Sequence, residues 1–346
     1  MLKLNNKNVI KGMTINELED WCESCGEKKY RGKQLFNWLY NNKRVDGVFL
    51  SNIPSSLKNL INSDTIETLE ISKITSSKIE NTTKILYKTY DSHYIESVSM
   101  IVDKRHTVCV SSQIGCNVGC TFCATGLMGL TRNLYCGEIL DQVINTINIT
   151  KTPITNVVFM GMGEPFLNYK NVLKSCEILH HPNGFNLGFN RITISTAGII
   201  SKIKKYIENN YQYKLAISLN AISDQMRKKI MPLNKKNDLN TLLSLGRKYS
   251  NRKRKNIMYE YVLLENFNDS EEDAIKLSKL IRGIYCKVNI IPYNENDLID
   301  FKQPAIKKIE RFVKILYDNQ DCYTILVRWS RGRDIKAACG QLAINN

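Results

Sequence analysis

No stretch of about 18 apolar residues occurs in the sequence, so no segment reads as a membrane-spanning helix. The opening MLKLNNKNVI lacks the apolar core of a secretory signal. With no export signal, the eleven cysteines are expected to be reduced thiols and metal ligands in a cytoplasm, not a disulfide framework. Proline is sparse, at seven residues, and low-complexity tracts are absent, which argues against long disordered regions. Acidic residues are also short: 33 against 49 lysines and arginines leave a net charge of +16, so a polyanionic partner is the first expectation. What is present is 346 residues with 43% hydrophobic content, enough for a sizeable core in one large domain or two.

The most informative shortage is local. Cys116-Asn117-Val118-Gly119-Cys120-Thr121-Phe122-Cys123 is a C-x3-C-x2-C run with no fourth cysteine beside it. An electron-transfer [4Fe–4S] cube takes four thiolates. Three leave one iron open to an outside ligand, as in catalytic metal sites. Gly115 and Gly119 let a short loop wrap such a body. Zinc is the alternative, but it favours four ligands from paired dyads, and His106 is the one further candidate nearby. Cys22 and Cys25 form another C-x2-C, but no second dyad follows and the pair falls in a helical pattern, so it reads as core. The triple-cysteine run, with aromatic Phe122 before its last member, resembles the radical-SAM superfamily. There, the resemblance implies, the open iron chelates S-adenosylmethionine and one electron cleaves it to a 5′-deoxyadenosyl radical.

Along the chain, residues 14–62 read as helices, with a capping box at Thr14 and Glu17. Strands are expected at 84–90 and 94–102 around an Asp91-Ser92 turn. From about residue 105, strands (108–110, 154–160, 191–195, 213–219, 257–264, 285–291) alternate with helices (136–149, 168–180, 199–209, 223–250, 270–283, 303–318). Six βα units predict a parallel α/β sheet, too few to close an eight-stranded barrel. A final strand, 323–328, leads into the tail. The expected architecture is a partial (βα)6 radical-SAM barrel, with an N-terminal accessory domain over 1–90, a core over 91–328 and a tail over 329–346.

In parallel βα folds the chemistry gathers at the C-terminal ends of the strands. One strand ends in Gly161-Met162-Gly163-Glu164-Pro165, where the glycines would let backbone approach a ligand and Glu164 would accept from the methionyl ammonium. Ser195, the Ser218-Leu219-Asn220 stretch and Asn294 end later strands, within reach of carboxylate, ribose or adenine. Each is weak alone, since Ser and Asn are common turn residues.

Two further cysteines stand apart. Cys109 lies seven residues before Cys116, and Cys339 lies in the tail, directly before Gly340. The residues alone leave two readings open: Cys109 as a buried core thiol and Cys339 as an ordinary one, or, since Gly340 suits a bend that presents the sulfur, Cys339 displayed for chemistry. Cys109-Val110-Ser111-Ser112-Gln113-Ile114-Gly115-Cys116, GMGEP, the S-T-A-G stretch at 195–198, Met231-Pro232-Leu233-Asn234 and A-A-C-G-Q-L occur in order. Together they resemble the radical-SAM RNA adenine methyltransferases, the RlmN/Cfr family, over about residues 14 to 344. Pro165 and the Arg331-Gly332 pair follow the family's carbon-2 branch; Asn220 departs from its usual histidine.

The resemblance implies two molecules of S-adenosylmethionine per turnover and a cluster on Cys116, Cys120 and Cys123. Cys339 would carry the methyl group, Glu96 would accept the carbon-2 proton, and Cys109 would resolve the protein–RNA adduct through a transient disulfide. The implied targets are adenine 2503 of 23S rRNA and adenine 37 of tRNA. A flavodoxin or ferredoxin would supply electrons, no membrane would take part, and a monomer is expected. The rival readings are Cfr-type methylation of carbon 8, a radical-SAM enzyme acting on protein or a metabolite, and a non-catalytic iron–sulfur RNA-binding factor. RNA contact is expected from the acid-free segment Lys28–Arg44, from Arg247, Lys248 and Arg252–Lys255, and from Arg328, Arg331 and Arg333. Within the first segment, Tyr30, Phe36, Trp38 and Tyr40 read as core and the cations as RNA-facing.

Overall fold

Short apolar runs alternate with amphipathic helices and build one ten-stranded sheet in the computed structural model, which describes residues 2–4, 7–41, 53–61, 66, 68–235, 238–251 and 256–343. Of the basic residues named above, Lys43, Arg44, Arg252, Lys253, Arg254 and Lys255 lie outside these.

A small hairpin, β1 (Leu2–Leu4) and β2 (Lys7–Val9), precedes α1 (Ile15–Ser24), α2 (Arg31–Tyr40) and α3 (Ser55–Leu60). The capping box forms: the Thr14 amide donates to Glu17 at 2.7 Å, and the Glu17 amide returns to the Thr14 hydroxyl at 3.4 Å. Leu18, Trp21 and Cys22 of α1 meet Leu35, Phe36 and Leu39 of α2 in the core. These helices are anchored to the remainder by Lys174 on Glu17 and by a buried Lys11–Asp141 ion pair.

β3 (Leu69–Ser76), β4 (Thr82–Thr89), β5 (Tyr94–Val102) and β6 (Arg105–Cys109) run as an antiparallel meander. A second hairpin, β7 (Gln113–Cys116) and β8 (Gly129–Asn133), encloses the cysteine loop and α4 (Ala124–Leu127). Then α5 (Cys136–Thr150), β9 (Asn156–Phe159), α6 (Tyr169–His180) and β10 (Ile192–Thr196) follow. Next come α7 (Ile200–Glu208), β11 (Lys214–Ser218), α8 (Asp224–Ile230) and α9 (Leu239–Asn251). β12 (Ile257–Leu263), α10 (Glu271–Ile281), β13 (Cys286–Pro292), α11 (Ile306–Asp318) and β14 (Tyr323–Val327) complete the order.

The sheet order is β14-β13-β12-β11-β10-β9-β6-β5-β4-β3, parallel from β14 to β6 and antiparallel beyond. β3 and β14 are its edges and do not pair with each other among the described residues, so the sheet stays open. The expected hairpin is therefore no separate sheet: β4 and β5 continue the parallel array through β6. β9, β10 and β13 are buried on both faces, as apolar runs covered by helices require, whereas the edge strand β14 is partly exposed.

Candidate active site

The cysteine loop is shaped by contacts that allow few substitutions. Gly115 sits at φ +73°, and a Cβ there would lie 1.9 Å from the Gly129 carbonyl oxygen. The Thr121 amide donates to the Ile230 carbonyl at 3.0 Å, tying the loop to the end of α8. Val118 and Phe122 pack with Ile230, Met231 and Tyr293 in a small apolar cluster against which all three cysteines lie. The MPLN stretch is thus the wall of the cysteine loop.

Cys116, Cys120 and Cys123 line one cavity of about 160 Å³, together with Glu164, Ser195, Ser218, Asn220, Glu260, Asn294 and Cys339. Burial raises all three thiols above the usual range, Cys116 to about 12, and mutual repulsion of the thiolates adds to this. Such a set is poised to lose protons only against a strongly cationic body. Among the described residues, no three His, Cys, Asp or Glu side chains converge as a single metal ion would require. Three soft sulfur donors on one cavity wall suit an iron–sulfur cluster with one corner left open. His106, the zinc alternative, is buried and engaged by Ser99 at 2.9 Å and by the Thr152 carbonyl at 3.2 Å.

The strand ends supply polar groups of two kinds. Glu164 is pinned: Oε1 accepts from the Thr196 hydroxyl at 2.6 Å and the Phe166 amide at 2.9 Å, and Oε2 accepts from the Ala197 amide at 2.7 Å. A carboxylate offers about four lone-pair sites, so roughly one remains for an ammonium. Burial raises its pKa, and these donors oppose the rise. Gly161 and Gly163 line the cavity too, and glycine at both is also demanded by the neighbouring chain. A Cβ at Gly161 would meet Ser111 at 2.8 Å, and one at Gly163 would meet Gln113 at 2.5 Å.

Asn220 holds a left-handed backbone at φ +56°, which asparagine tolerates. Its Oδ1 accepts from the Val262 amide at 2.9 Å, and its carbonyl accepts from Asn268 at 2.8 Å. The side chain that departs from the family thus has a structural use here. Leu219 is buried, and its carbonyl accepts from Arg227 at 3.1 Å. Ser195 donates to Glu260 at 3.4 Å. Asn294 donates to Ser330 at 2.9 Å and to the Cys339 carbonyl at 3.1 Å, while its Oδ1 is buried without a hydrogen bond. That oxygen suits a hydroxyl-bearing ligand.

The tail comes to this cavity. The Ala124 amide donates to the Gly340 carbonyl at 2.9 Å, and the Thr125 hydroxyl donates to the Leu342 carbonyl at 2.6 Å. Gly340 has φ +82°, the bend expected after Cys339. On its other side the tail is strapped to the β3–β4 turn: Asp334 accepts from Ser77 at 2.9 Å, and Glu80 holds Arg331 at 2.9 Å. Cys109 lies off the cavity wall but beside the tail; burial and then the neighbouring Cys339 push its thiol up to about 12.

Glu96 also lies off that wall, on β5 beneath the tail. Its Oε1 is 2.9 Å from Lys84 Nζ, and its Oε2 is buried with no hydrogen-bond partner. Burial raises its pKa, and Lys84 and the Ala343 amide pull it back.

Three residues passed over in the sequence prove central. Arg227 is fully buried and donates to the carbonyls of Ala197, Ser218 and Leu219, stitching two strand ends beside the cysteine loop. An Arg-Lys-Lys run carries no local sign of such burial. Glu260 carries a buried Oε1 with no hydrogen bond, 3.7 Å from Arg328. Lys84 was one lysine among many. In the accessory unit, Phe36 and Tyr40 are buried and Trp38 is half-buried, but Tyr30, expected in the core, is 49% exposed beside the exposed Lys28, Lys29 and Lys33.

Parallel strands ending on a three-cysteine loop define a radical-SAM enzyme, and the family model for the Radical SAM superfamily matches residues 110–278. The model for the ribosomal RNA large subunit methyltransferase N-terminal domain matches residues 8–66. The dual-specificity RNA methyltransferase RlmN of Geobacter sulfurreducens is 39% identical over 96% of this chain and 91% of its own length. A probable dual-specificity RNA methyltransferase RlmN of Clostridioides difficile is 39% identical over 97% of each chain. The crystal structure of a radical SAM methyltransferase from Sphaerobacter thermophilus superposes with a TM-score of 0.91 at 39% identity, covering 97% of this chain and 99% of that one. The chain belongs to the RlmN family of S-adenosylmethionine-dependent methyltransferases.

Proposed function

We propose that this enzyme methylates carbon 2 of adenine in 23S rRNA and tRNA, at adenine 2503 and adenine 37, with Cys339 carrying the carbon. The observation that carries this reading is the position of Cys339: it lines the cavity of the cluster cysteines and also neighbours Cys109. Carbon 2 of adenine is electron-poor and not nucleophilic, so the methyl group must be activated before transfer. Cys116, Cys120 and Cys123 would hold the cluster, and Glu164, Ser195, Ser218, Asn220 and Asn294 would line the S-adenosylmethionine site. When bound, these groups supply a carbon-centred radical that removes a hydrogen atom from the methyl group on Cys339.

The chain does the rest. Cys339 accepts a methyl group as a thioether and presents it from the Gly340 bend, so one turnover consumes two molecules of S-adenosylmethionine. Its carbon joins carbon 2, the adduct would return one electron to the cluster that supplied it, and Glu96 takes the carbon-2 proton. Cys109 then attacks the Cys339 sulfur, releasing methylated RNA and leaving a disulfide that thiol reductants reset. Exposed lysines of the accessory unit, with Arg247 and Lys248, meet phosphate. The target base must leave its stack to reach the cavity. An external one-electron donor such as flavodoxin or ferredoxin completes the scheme for a monomeric enzyme. An RNA substrate of this kind implies a cytoplasmic site of action.

RNA from a strain lacking this gene tests the reading. Loss of 2-methyladenosine, restored by the wild-type chain and not by Cys339→Ala, is expected. Methyl found on carbon 8 instead would overturn the carbon-2 assignment.

A further inference from the structure

Lys84 occupies a place that no motif singles out. On β4 it stands opposite Val98 of β5, and Val98 stands opposite Cys109 of β6. Residues directly opposite share a face of the sheet, and Glu96, two residues before Val98, shares that face too. Lys84, Glu96 and Cys109 are therefore one group under the tail, with Lys84 about 10 Å, two strand spacings, from Cys109. The lysine is 17% exposed and the glutamate 5%. Lys84 Nζ binds Glu96 Oε1 at 2.9 Å and donates to the Lys336 carbonyl, three residues before Cys339, at 3.3 Å. Glu96 Oε2 is left buried without a hydrogen bond.

We propose that Lys84 is a positioning residue for proton removal: it holds Glu96 as a carboxylate with Oε2 directed to the substrate, and ties that base to the tail bearing Cys339. The inference rests on the reading of Glu96 as the base. In the step concerned, the carbon-2–hydrogen bond breaks, its electron pair stays with the purine, and the proton passes to Glu96 Oε2. No electron enters or leaves. A carboxylate buried this deeply drifts toward its neutral form unless a cation opposes it, and a neutral acid cannot accept the proton. Of the groups packed against it, Lys84 is the cation; the nearby Ala343 amide also favours the charged form but makes no hydrogen bond to Oε2, and the Ser111 hydroxyl binds the Glu96 carbonyl at 2.6 Å. Removing the lysine raises the glutamate further, so the carboxylate fraction near neutrality falls and returns only at higher pH.

The test compares Lys84→Met, Lys84→Arg and Glu96→Gln in the reconstituted enzyme with tRNA. It measures methylation of the Cys339 peptide, 5′-deoxyadenosine and 2-methyladenosine across pH. Lys84→Met is expected to keep Cys339 methylation and 5′-deoxyadenosine formation. It should lose about tenfold or more of RNA product near pH 7, with the acid limb moved up by about one to three pH units. Lys84→Arg should restore most of the product. An unmoved acid limb in Lys84→Met, or a loss matched by lost Cys339 methylation, overturns the proposal. A fully active Glu96→Gln would instead overturn the base assignment beneath it.

Discussion

Two Cys-x-x-Cys pairs occur in this chain, and they end differently. Cys22 and Cys25 straddle the end of α1, with Cys22 fully buried against α2 and its thiol raised to about 11, mainly by burial. Cys120 and Cys123 have the same spacing, yet stand in a loop joined to α8, packed on by the tail, and open to a cavity with Cys116. The first pair is surrounded by apolar side chains that complete a helix–helix contact. The second faces partly free polar groups at the ends of parallel strands. Spacing permits a metal site; backbone context and convergent neighbours separate the candidate from the core pair.

Substitution should separate the two pairs sharply. Cys120→Ala has the largest expected effect: iron and sulfide analysis of anaerobically reconstituted protein should fall to background, with complete loss of 5′-deoxyadenosine formation. Retained iron at wild-type level would break the contrast. Cys22→Ser should act oppositely and more weakly. It buries a hydroxyl in place of an apolar sulfur, at a cost of about 1–3 kcal/mol read by thermal or urea unfolding. Iron content and turnover at 25 °C should stay near wild type. Lost iron in Cys22→Ser would give that pair a ligand role.

Much of the parallel core was legible, because buried strands are written as short apolar runs and each helix repeats its apolar face. The expected strand at 285–291 and helix at 168–180 match β13 (Cys286–Pro292) and α6 (Tyr169–His180) to within a residue. The hairpin β7–β8 escaped because Gly115, Gly119 and Gly129 read as loop, and β3 because it is mostly exposed and weakly patterned. That the meander and the parallel strands form one sheet is a matter of long-range pairing, which no local pattern carries.

The site divides similarly. Cys116, Cys120 and Cys123 share a motif, so their convergence was readable. The meeting of Cys339 with them was implied by a family likeness alone, since over 200 residues intervene. Glu164 lines the cavity, but its three protein donors are invisible in sequence. Arg227 hides because a buried arginine held by carbonyls has the same local signature as a surface one.

The central claim is that the carbon reaches RNA through the tail sulfur and is freed by Cys109. Mass spectrometry of Cys109→Ala protein, purified from cells and digested with protease and nuclease, tests it directly. The account predicts a Cys339 peptide carrying an adenine-containing nucleotide through one added carbon. A Cys339 peptide free of nucleotide, from cells in which the wild-type chain methylates RNA, would contradict it.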